Sequence, residues 1–478
     1  MTHPSEQPET DARTAAVSVD GRQFQFHGSV RSPLEPGDFV TLRADDGQDH
    51  VGQIDEVEFA VGGSLSGTGR IFGIIGDGGR IDARRSAPFS SAVVERAASA
   101  VVDGLFTGAG ATLEVGALVS TRDVSARLLP AKFNRHTFWC GQSGSGKTYA
   151  LGVLLEQLLL RTSLPMVIFD PNADFVRFRE SNPHNADAAL SEAGQTLASR
   201  DIRVLRAHAE DPDGLRVRFV DLSMQSKAAV LRLDPLLHRE EYNELLHLEE
   251  RIGSLEASRI VPTLEGRDVP AASALRARIE NLRTVDWEIW AGEHAAATEI
   301  IDTRPDATVL DLGGFTYPEE YLVVALAVLD DLWSKRESRR PILIVIDEAH
   351  NLCSPDGQSP LQVAVRERII QIAAEGRKFG LWLLLSTQRP SKIHPSIISQ
   401  CDNLALMRMN SPLDLAELAT TFGFAPPGML ARSARFRQGE ALFAGGFVPA
   451  PAIVQVGARL TREGGIDVDV PRRAGVRN

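Results

Sequence analysis

From about Ala15 to Pro130 apolar residues come in short alternating stretches, as in QFQFHGSV and DFVTLRA, broken by turn formers such as EPGD and DDGQD. Alternation places one set of side chains on one face of a strand, so residues 15–130 are expected to form a small β-barrel or β-sandwich. One stretch departs from the pattern. In SSAVVERAASAVVDGLF, residues 90–106, apolar positions recur at helical spacing and predict a helix. Beyond Pro130 the texture changes to apolar runs of four to seven residues alternating with longer amphipathic segments, the pattern of an α/β core with a parallel sheet and crossover helices. HTFWC, PMVIFD, ATVLDL, ILIVID, LWLLLS and NLALMRM are its expected strands. Within this core, residues 131–460, the stretch from about 176 to 306 turns charged and Leu-periodic, as in HREEYNELLHLEERIGSLEASRI, and reads as a helical insertion. Residues 1–14 are polar and expected to form a disordered tail; residues 461–478 are expected to form an exposed tail or arm.

Charge narrows the function classes. With 63 acidic against 51 basic side chains the chain carries −12 at pH 7, which excludes a generic basic nucleic-acid coat. Cys140, Cys353 and Cys401 form no C-x-x-C pair, so neither a disulfide framework nor a sequence-local zinc site is expected, and a reducing cytoplasm fits. The opening MTHPSEQPETDART lacks the basic-then-apolar order of a signal peptide, and no apolar run approaches 18 residues. The expectation is a cytoplasmic protein without a membrane partner.

GQSGSGKT, residues 141–148, satisfies Gly-x-x-x-x-Gly-Lys-Thr, follows the apolar strand HTFWC and precedes the helical pattern YALGVLLEQLLL. That is the context a phosphate loop requires. Glycines let the backbone curl so that successive N–H groups face a triphosphate, and the helix N-terminus adds its positive end. Lys147 is placed to neutralise β and γ oxygens of ATP, and the Thr148 hydroxyl to ligate Mg²⁺. Gly141, Gln142, Ser143, Gly144, Ser145 and Gly146, with Lys147, Thr148 and the adjoining Tyr149, form the expected nucleotide-binding set.

ILIVIDEAH ends an apolar strand in Asp347 and Glu348, which the carboxyl edge of a parallel sheet would bring beside the phosphate loop. Asp347 is suited to hold Mg²⁺ and Glu348 to polarise the attacking water. Taken alone, the pair reads more readily as a strand-end cap on the next helix; beside the phosphate loop the preference reverses. LWLLLSTQRP puts Gln388 at the same edge, where an amide can donate to a γ-phosphate oxygen and accept from water; an ordinary polar strand end is the other reading. In AAEGRKFG, Arg377 stands in a short turn after the helix LQVAVRERIIQI. It can act as an arginine finger on a neighbouring subunit's γ-phosphate or as a cap on a helix C-terminus.

Together GQSGSGKT, FDPNADF (169–175), IDEAHNL (346–352), EGRKFG (375–380) and STQRP (386–390), in this order behind an N-terminal β-module, resemble the HerA branch of the HerA/FtsK P-loop ATPases. The resemblance implies a RecA-like core preceded by a barrel of the HAS type, ATP bound between subunits of a homohexameric ring, and double-stranded DNA threaded through the pore. Carried over residue by residue, it makes Lys147 and Thr148 the phosphate-loop pair, Asp347 the magnesium aspartate, Glu348 the catalytic glutamate, Gln388 the sensor and Arg377 the trans-acting finger. FDPNADF departs from the His-Gly-Glu that relatives more often carry after Asp-Pro, which leaves Asp170 and Asp174 as candidate contributors near the nucleotide.

Pore contacts are sparsely marked. The loop NLCSPDGQSP, residues 351–360, holds no Lys or Arg to neutralise phosphate, and Lys392 and His394 in RPSKIHPS are the basic candidates. No second catalytic set is present, so any cutting activity is expected in a partner, such as a nuclease in DNA processing or a nuclease or NADase effector in antiviral defence. Two readings remain open: a motor that moves duplex DNA, or a ring that assembles and gates an effector subunit.

Overall fold

The computed structural model describes residues 14–29, 34–60, 64–184, 187–252 and 257–465. The expected N-terminal tail, apart from Thr14, and the C-terminal residues beyond 465 lie outside them. The chain divides into two compact units, one made of residues up to Gln157 with Gln388–Ser391 and Cys401–Ala458, the other of Leu158–Thr387, Lys392–Gln400 and residues from Arg459 on.

Alternation in the first hundred residues is realised as strands β1 (Ala15–Ser18), β2 (Gln23–Ser29), β3 (Phe39–Ala44), β4 (Asp49–Ala60), β5 (Ser64–Ile75), β6 (Ile81–Asp82) and β7 (Phe89–Arg96). Antiparallel pairing in the order β2-β1-β7-β3-β4-β5, with β5 returning to β2, closes a six-stranded barrel, and β6 appends to β5. Closure removes the open edges that a short sheet would expose. Phe24, Phe26, Val40, Leu42, Ile54 and Leu65 fill its interior. Phe24 stands opposite Gly69 and Phe26 opposite Gly67 in the β2–β5 register. A Cβ on Gly69 would lie 2.3 Å from Phe24 Cζ, so the two glycines are what admit the rings.

The helix expected over 90–106 is corrected. Its first half is β7, paired to β1 on one side and β3 on the other, and only Ser99–Gly108 is helical, as α1. Six barrel strands must close, and that pairing overrides a short apolar run whose spacing suits either period.

The remaining strands are, in chain order, β8 (Leu113–Leu118), β9 (Ser125–Leu128), β10 (His136–Cys140), β11 (Met166–Asp170), β12 (Ile202–Arg206), β13 (Ala307–Asp311), β14 (Ile342–Ile346), β15 (Leu381–Thr387), β16 (Cys401–Met407), β17 (Glu440–Gly445) and β18 (Ala452–Val456). All six expected core strands are present, as β10, β11, β13, β14, β15 and β16. In the first unit β10 pairs parallel to β16, and β17, β18, β8 and β9 continue antiparallel from it. Residues 113–128, expected in the N-terminal β-module, therefore extend the ATPase sheet instead; their alternation could not reveal which sheet they would join.

In the second unit the order β12-β13-β11-β14-β15 is parallel throughout. Strands buried on both faces read as continuous apolar runs, which is why ILIVI and MVIFD are wholly buried. Between β11 and β13 lie α3 (Ala188–Ala198), α4 (Met224–Val230), α5 (Arg239–Ile252), α6 (Ala257–Glu265), α7 (Pro270–Leu282) and α8 (Ala297–Asp302). The expected helical insertion thus also supplies β12 to the sheet edge. Within it α7 packs on both α5 and α6, with Leu245, Leu248, Ile260, Leu264, Leu275 and Ile279 buried, and Arg267 donates to Glu244 at 3.0 Å. After β13 come α9 (Glu320–Ser334) and, after β14, α10 (Pro360–Glu375).

The C-terminal stretch expected to be exposed is partly packed over its described residues, with Glu463 and Gly465 exposed. Thr461 is buried and bridges Ser181, and Gly464 N donates to Asp174 O at 3.0 Å. Among the described residues no helix is long and apolar enough to cross a membrane.

Candidate nucleotide site

In the first unit the segment Gly141–Gly146 leaves the buried end of β10 and α2 (Lys147–Arg161) begins at its close. The loop needs two left-handed turns, supplied by Gly144 at φ +72° and Gly146 at φ +88°, values costly for residues with a Cβ. It is braced through its own backbone and through the Gln142 side chain. Gln142 N donates to Arg408 O at 2.9 Å, Gly439 N to Ser145 O at 2.9 Å, and Asn410 N to Gln142 Oε1 at 3.1 Å. Of the expected set, Gln142 thus spends its amide oxygen on the protein, Ser143 and Gly144 are exposed, Ser145 and Lys147 are buried, and Thr148 and Tyr149 are half-buried. Burial pushes the Cys140 thiol up, with Asp414's charge adding and Lys147 opposing, so this cysteine packs under the loop as a neutral group. Arg408, which sequence reasoning passed over, donates from Nη2 to Gly144 O at 3.3 Å. Its only signal was its place inside the expected strand NLALMRM, and the pairing of that strand, β16, with β10 is a tertiary fact.

In the second unit Asp347 and Glu348 follow β14 directly, and both are buried. Asp347 N donates to Phe169 O at 3.1 Å, continuing the β14–β11 ladder one residue past the strand. Glu348 has φ +44° and ψ 48°, a left-handed conformation that costs a residue with a Cβ about 1–2 kcal/mol. The turn Ala349–Asn351 holds it there, with Asn351 N donating to Glu348 O at 2.9 Å. His350 Nδ1 lies 3.2 Å from Glu348 Oε2 and 3.2 Å from the Thr387 hydroxyl at the end of β15. His350 is a second residue the sequence reading missed.

Asp170 ends β11 and is fully buried. Its carboxylate accepts from Asp174 N at 3.0 Å and from Phe175 N at 2.7 Å, which closes the turn that FDPNADF forms. Burial pushes it up to about 7 against those two hydrogen bonds, and the charges of Asp347 and Asp174 add to the rise. Asp170 is thus a turn-closing group beside Asp347.

Arg377 stands elsewhere in this unit. It lies in the turn Gly376–Phe379 that precedes β15, and its carbonyl accepts from Gly380 N at 3.2 Å. Leu381 pairs with Ile342 at the amino ends of β15 and β14, whereas Thr387 and Glu348 follow their carboxyl ends. Seven strand residues at a rise of about 3.3 Å put roughly 20 Å between those edges, so Arg377 does not serve the carboxylates of its own sheet. Arg304, Lys335, Arg336 and Arg340 gather around Ile342 and Leu381 at the same amino edge. Gln388 follows β15 directly, half-buried. Lys392 Nζ donates to Asp356 at 2.7 Å, and His394 caps the turn at Pro395–Ile398 through Ser396 N. Among the described residues no cluster of three or more His, Cys, Asp or Glu side chains suits a metal.

The model of the family "Helicase HerA, central domain" matches residues 113–330, beginning at the first residue of β8. The "DNA double-strand break repair helicase HerA" of Sulfurisphaera tokodaii is 24% identical to this chain over 72% of it and 69% of the relative. The "Probable DNA double-strand break repair helicase HerA" of Methanocaldococcus jannaschii is 22% identical over 95% of this chain and 97% of its own. Among solved structures, VirB4 of Thermoanaerobacter pseudethanolicus aligns with a TM-score of 0.48 and 15% identity, over 73% of this chain and 97% of that one.

Proposed function

The chain belongs to the HerA-like ATPases of the HerA/FtsK superfamily, and on that premise we propose that it couples ATP hydrolysis to movement along double-stranded DNA. It does so as a homohexameric ring working with a separate nuclease or other effector in DNA processing or antiviral defence. The observation that carries the hydrolytic half is the buried pair Asp347–Glu348 at the carboxyl end of β14, with Glu348 pinned in a left-handed turn. A buried carboxylate held in one orientation suits a base that must meet a water in line with a scissile phosphate.

The roles follow the chemistry of each group. The backbone of Gly141–Gly146 and the ammonium of Lys147 hold the triphosphate; the Thr148 hydroxyl and the Asp347 carboxylate are the hard oxygen donors that suit Mg²⁺, an ion that takes few protein ligands when phosphates supply others. When bound, Mg²⁺ neutralises charge on the β and γ oxygens. Glu348 takes a proton from the attacking water, and Gln388 reads the γ position. Arg377 stabilises charge in a neighbouring subunit's site, a role supported by its distance from its own unit's carboxylates. Relatives named as double-strand break repair helicases support duplex DNA as the track.

A second reading, a ring that mainly assembles and gates an effector, is favoured by one observation. The basic pore candidate Lys392 is ion-paired with Asp356, so the paired loops 351–360 and 390–394 offer little net positive charge to a phosphate backbone. ATP hydrolysis by the full chain with and without linear duplex DNA, at low and moderate salt and with Glu348→Gln as blank, separates the two. Strong stimulation by duplex supports the motor; slow turnover indifferent to DNA overturns it in favour of the gated scaffold.

A further inference from the structure

We propose that His350 is a positioning residue that ties the catalytic carboxylate of Glu348 to the end of β15, so that a shift at Thr387 and its neighbour Gln388 changes the hold on Glu348. The inference rests on the reading of Glu348 as the base. Its grounds are geometric. A single ring nitrogen, Nδ1 of His350, lies 3.2 Å from Glu348 Oε2 and 3.2 Å from Thr387 Oγ1. The Thr387 contact has hydrogen-bond geometry, whereas Glu348 Oε2 meets Nδ1 only as a close polar contact, which becomes a hydrogen bond when the ring turns its N–H from the hydroxyl toward the carboxylate.

The two acceptors sit on neighbouring strands. Glu348 follows β14 and Thr387 ends β15, and the two strands run in register from Ile342↔Leu381 to Ile346↔Leu385. The backbone around His350 is fixed: Leu352 N donates to Ala349 O at 3.0 Å, Cys353 N to the same carbonyl at 2.8 Å, and Asn351 N to Glu348 O at 2.9 Å. With the turn rigid and Thr387 fully buried, little can redistribute Nδ1–H except motion of the β15 end or of the carboxylate itself. Gln388 adjoins Thr387 in the chain. A change in γ-phosphate state felt at Gln388 would therefore pull Thr387 and turn the Nδ1–H from its hydroxyl toward Glu348, setting when the base is aimed.

Four full-length variants test this beside wild type: His350→Ala, His350→Asn, Thr387→Val and the double variant His350→Ala/Thr387→Val. Steady-state ATPase, binding of a fluorescent ATP analogue and thermal midpoints are measured for each. Loss of an orienting partner lowers kcat on the order of tenfold, so His350→Ala is expected to do this with KM for ATP held within about twofold. Asn carries an amide nitrogen on Cγ, as His carries Nδ1, so His350→Asn is expected to recover most of kcat. Thr387→Val is expected to lower kcat too, and the double variant to be no slower than the slower single, because both cut one link. Glu348→Gln is run in parallel. If it is inactive while His350→Ala keeps full kcat, the link alone is overturned. Equal losses in His350→Ala and His350→Asn with lowered midpoints would also overturn it, leaving His350 a folding residue. Normal turnover by Glu348→Gln overturns the base assignment and this inference with it.

Discussion

At the scale of single residues, charge and burial separate groups the sequence treats alike. Lys147 at the start of α2 and Glu348 just after β14 are both buried, yet the proposed function gives one to binding and the other to turnover. Lys147→Ala is expected to abolish binding of a fluorescent ATP analogue, whereas Glu348→Gln should retain binding and lose hydrolysis; titration of the analogue alongside phosphate release checks both. Asp170 carries a pH prediction. Its folded value of about 7 lies above the ordinary 3.8, so between those values the folded chain keeps a proton that the unfolded chain has released. The stability this provides is complete below pH 3.8 and is lost as pH rises to about 7, with a slope of at most about 1.4 kcal/mol per pH unit. Without Mg²⁺ and nucleotide, the thermal midpoint of wild type should fall from pH 5 to pH 7 more steeply than that of Asp170→Asn. Parallel curves would remove Asp170 as a neutral group.

At the scale of elements, local pattern and pairing compete. The barrel exists because Phe24 and Phe26 on one strand meet glycines on the strand opposite, a complementarity split across more than forty residues. Gly69→Ala would place a methyl 2.3 Å from Phe24 Cζ, and overpacking of this kind costs about 1–3 kcal/mol. A drop in the barrel's thermal midpoint with unchanged ATP affinity is the expected result, since the phosphate loop lies on β10, outside the barrel. The same competition explains β7: the run 90–106 contains enough Val and Ala for either period, and two waiting partners, β1 and β3, made its first half a strand.

At the scale of the whole molecule, the expected ring decides what Arg377 can do. Because Arg377 and Glu348 occupy opposite edges of one sheet, mixing Arg377→Ala subunits with Lys147→Ala subunits should restore part of the ATPase activity that neither shows alone. A mixed interface would pair an intact loop on one subunit with an intact arginine on the next. Absence of any recovery would leave Arg377 as a cap after α10. Mass in solution near six chains is expected, and a fully active monomer would count against the ring.

What the sequence by itself determined lies in contiguous strings: the phosphate loop between an apolar strand and a helix, the acidic pair closing ILIVI, the six core strands, and through their combination the family. Such signals are short-range, because a loop that wraps phosphate or a strand buried on both faces needs its residues consecutive. Tertiary structure alone decided the rest. Residues 113–128 joined the sheet of β10 and β16 because β18 was there to pair them; Thr461 was buried and Gly464 bonded because the segment after β11 received them; Arg408 and His350 acquired partners from segments far off in the chain. Alternation states that a strand has two faces and never which neighbour it will find, and a side chain's role in a site depends on that neighbour.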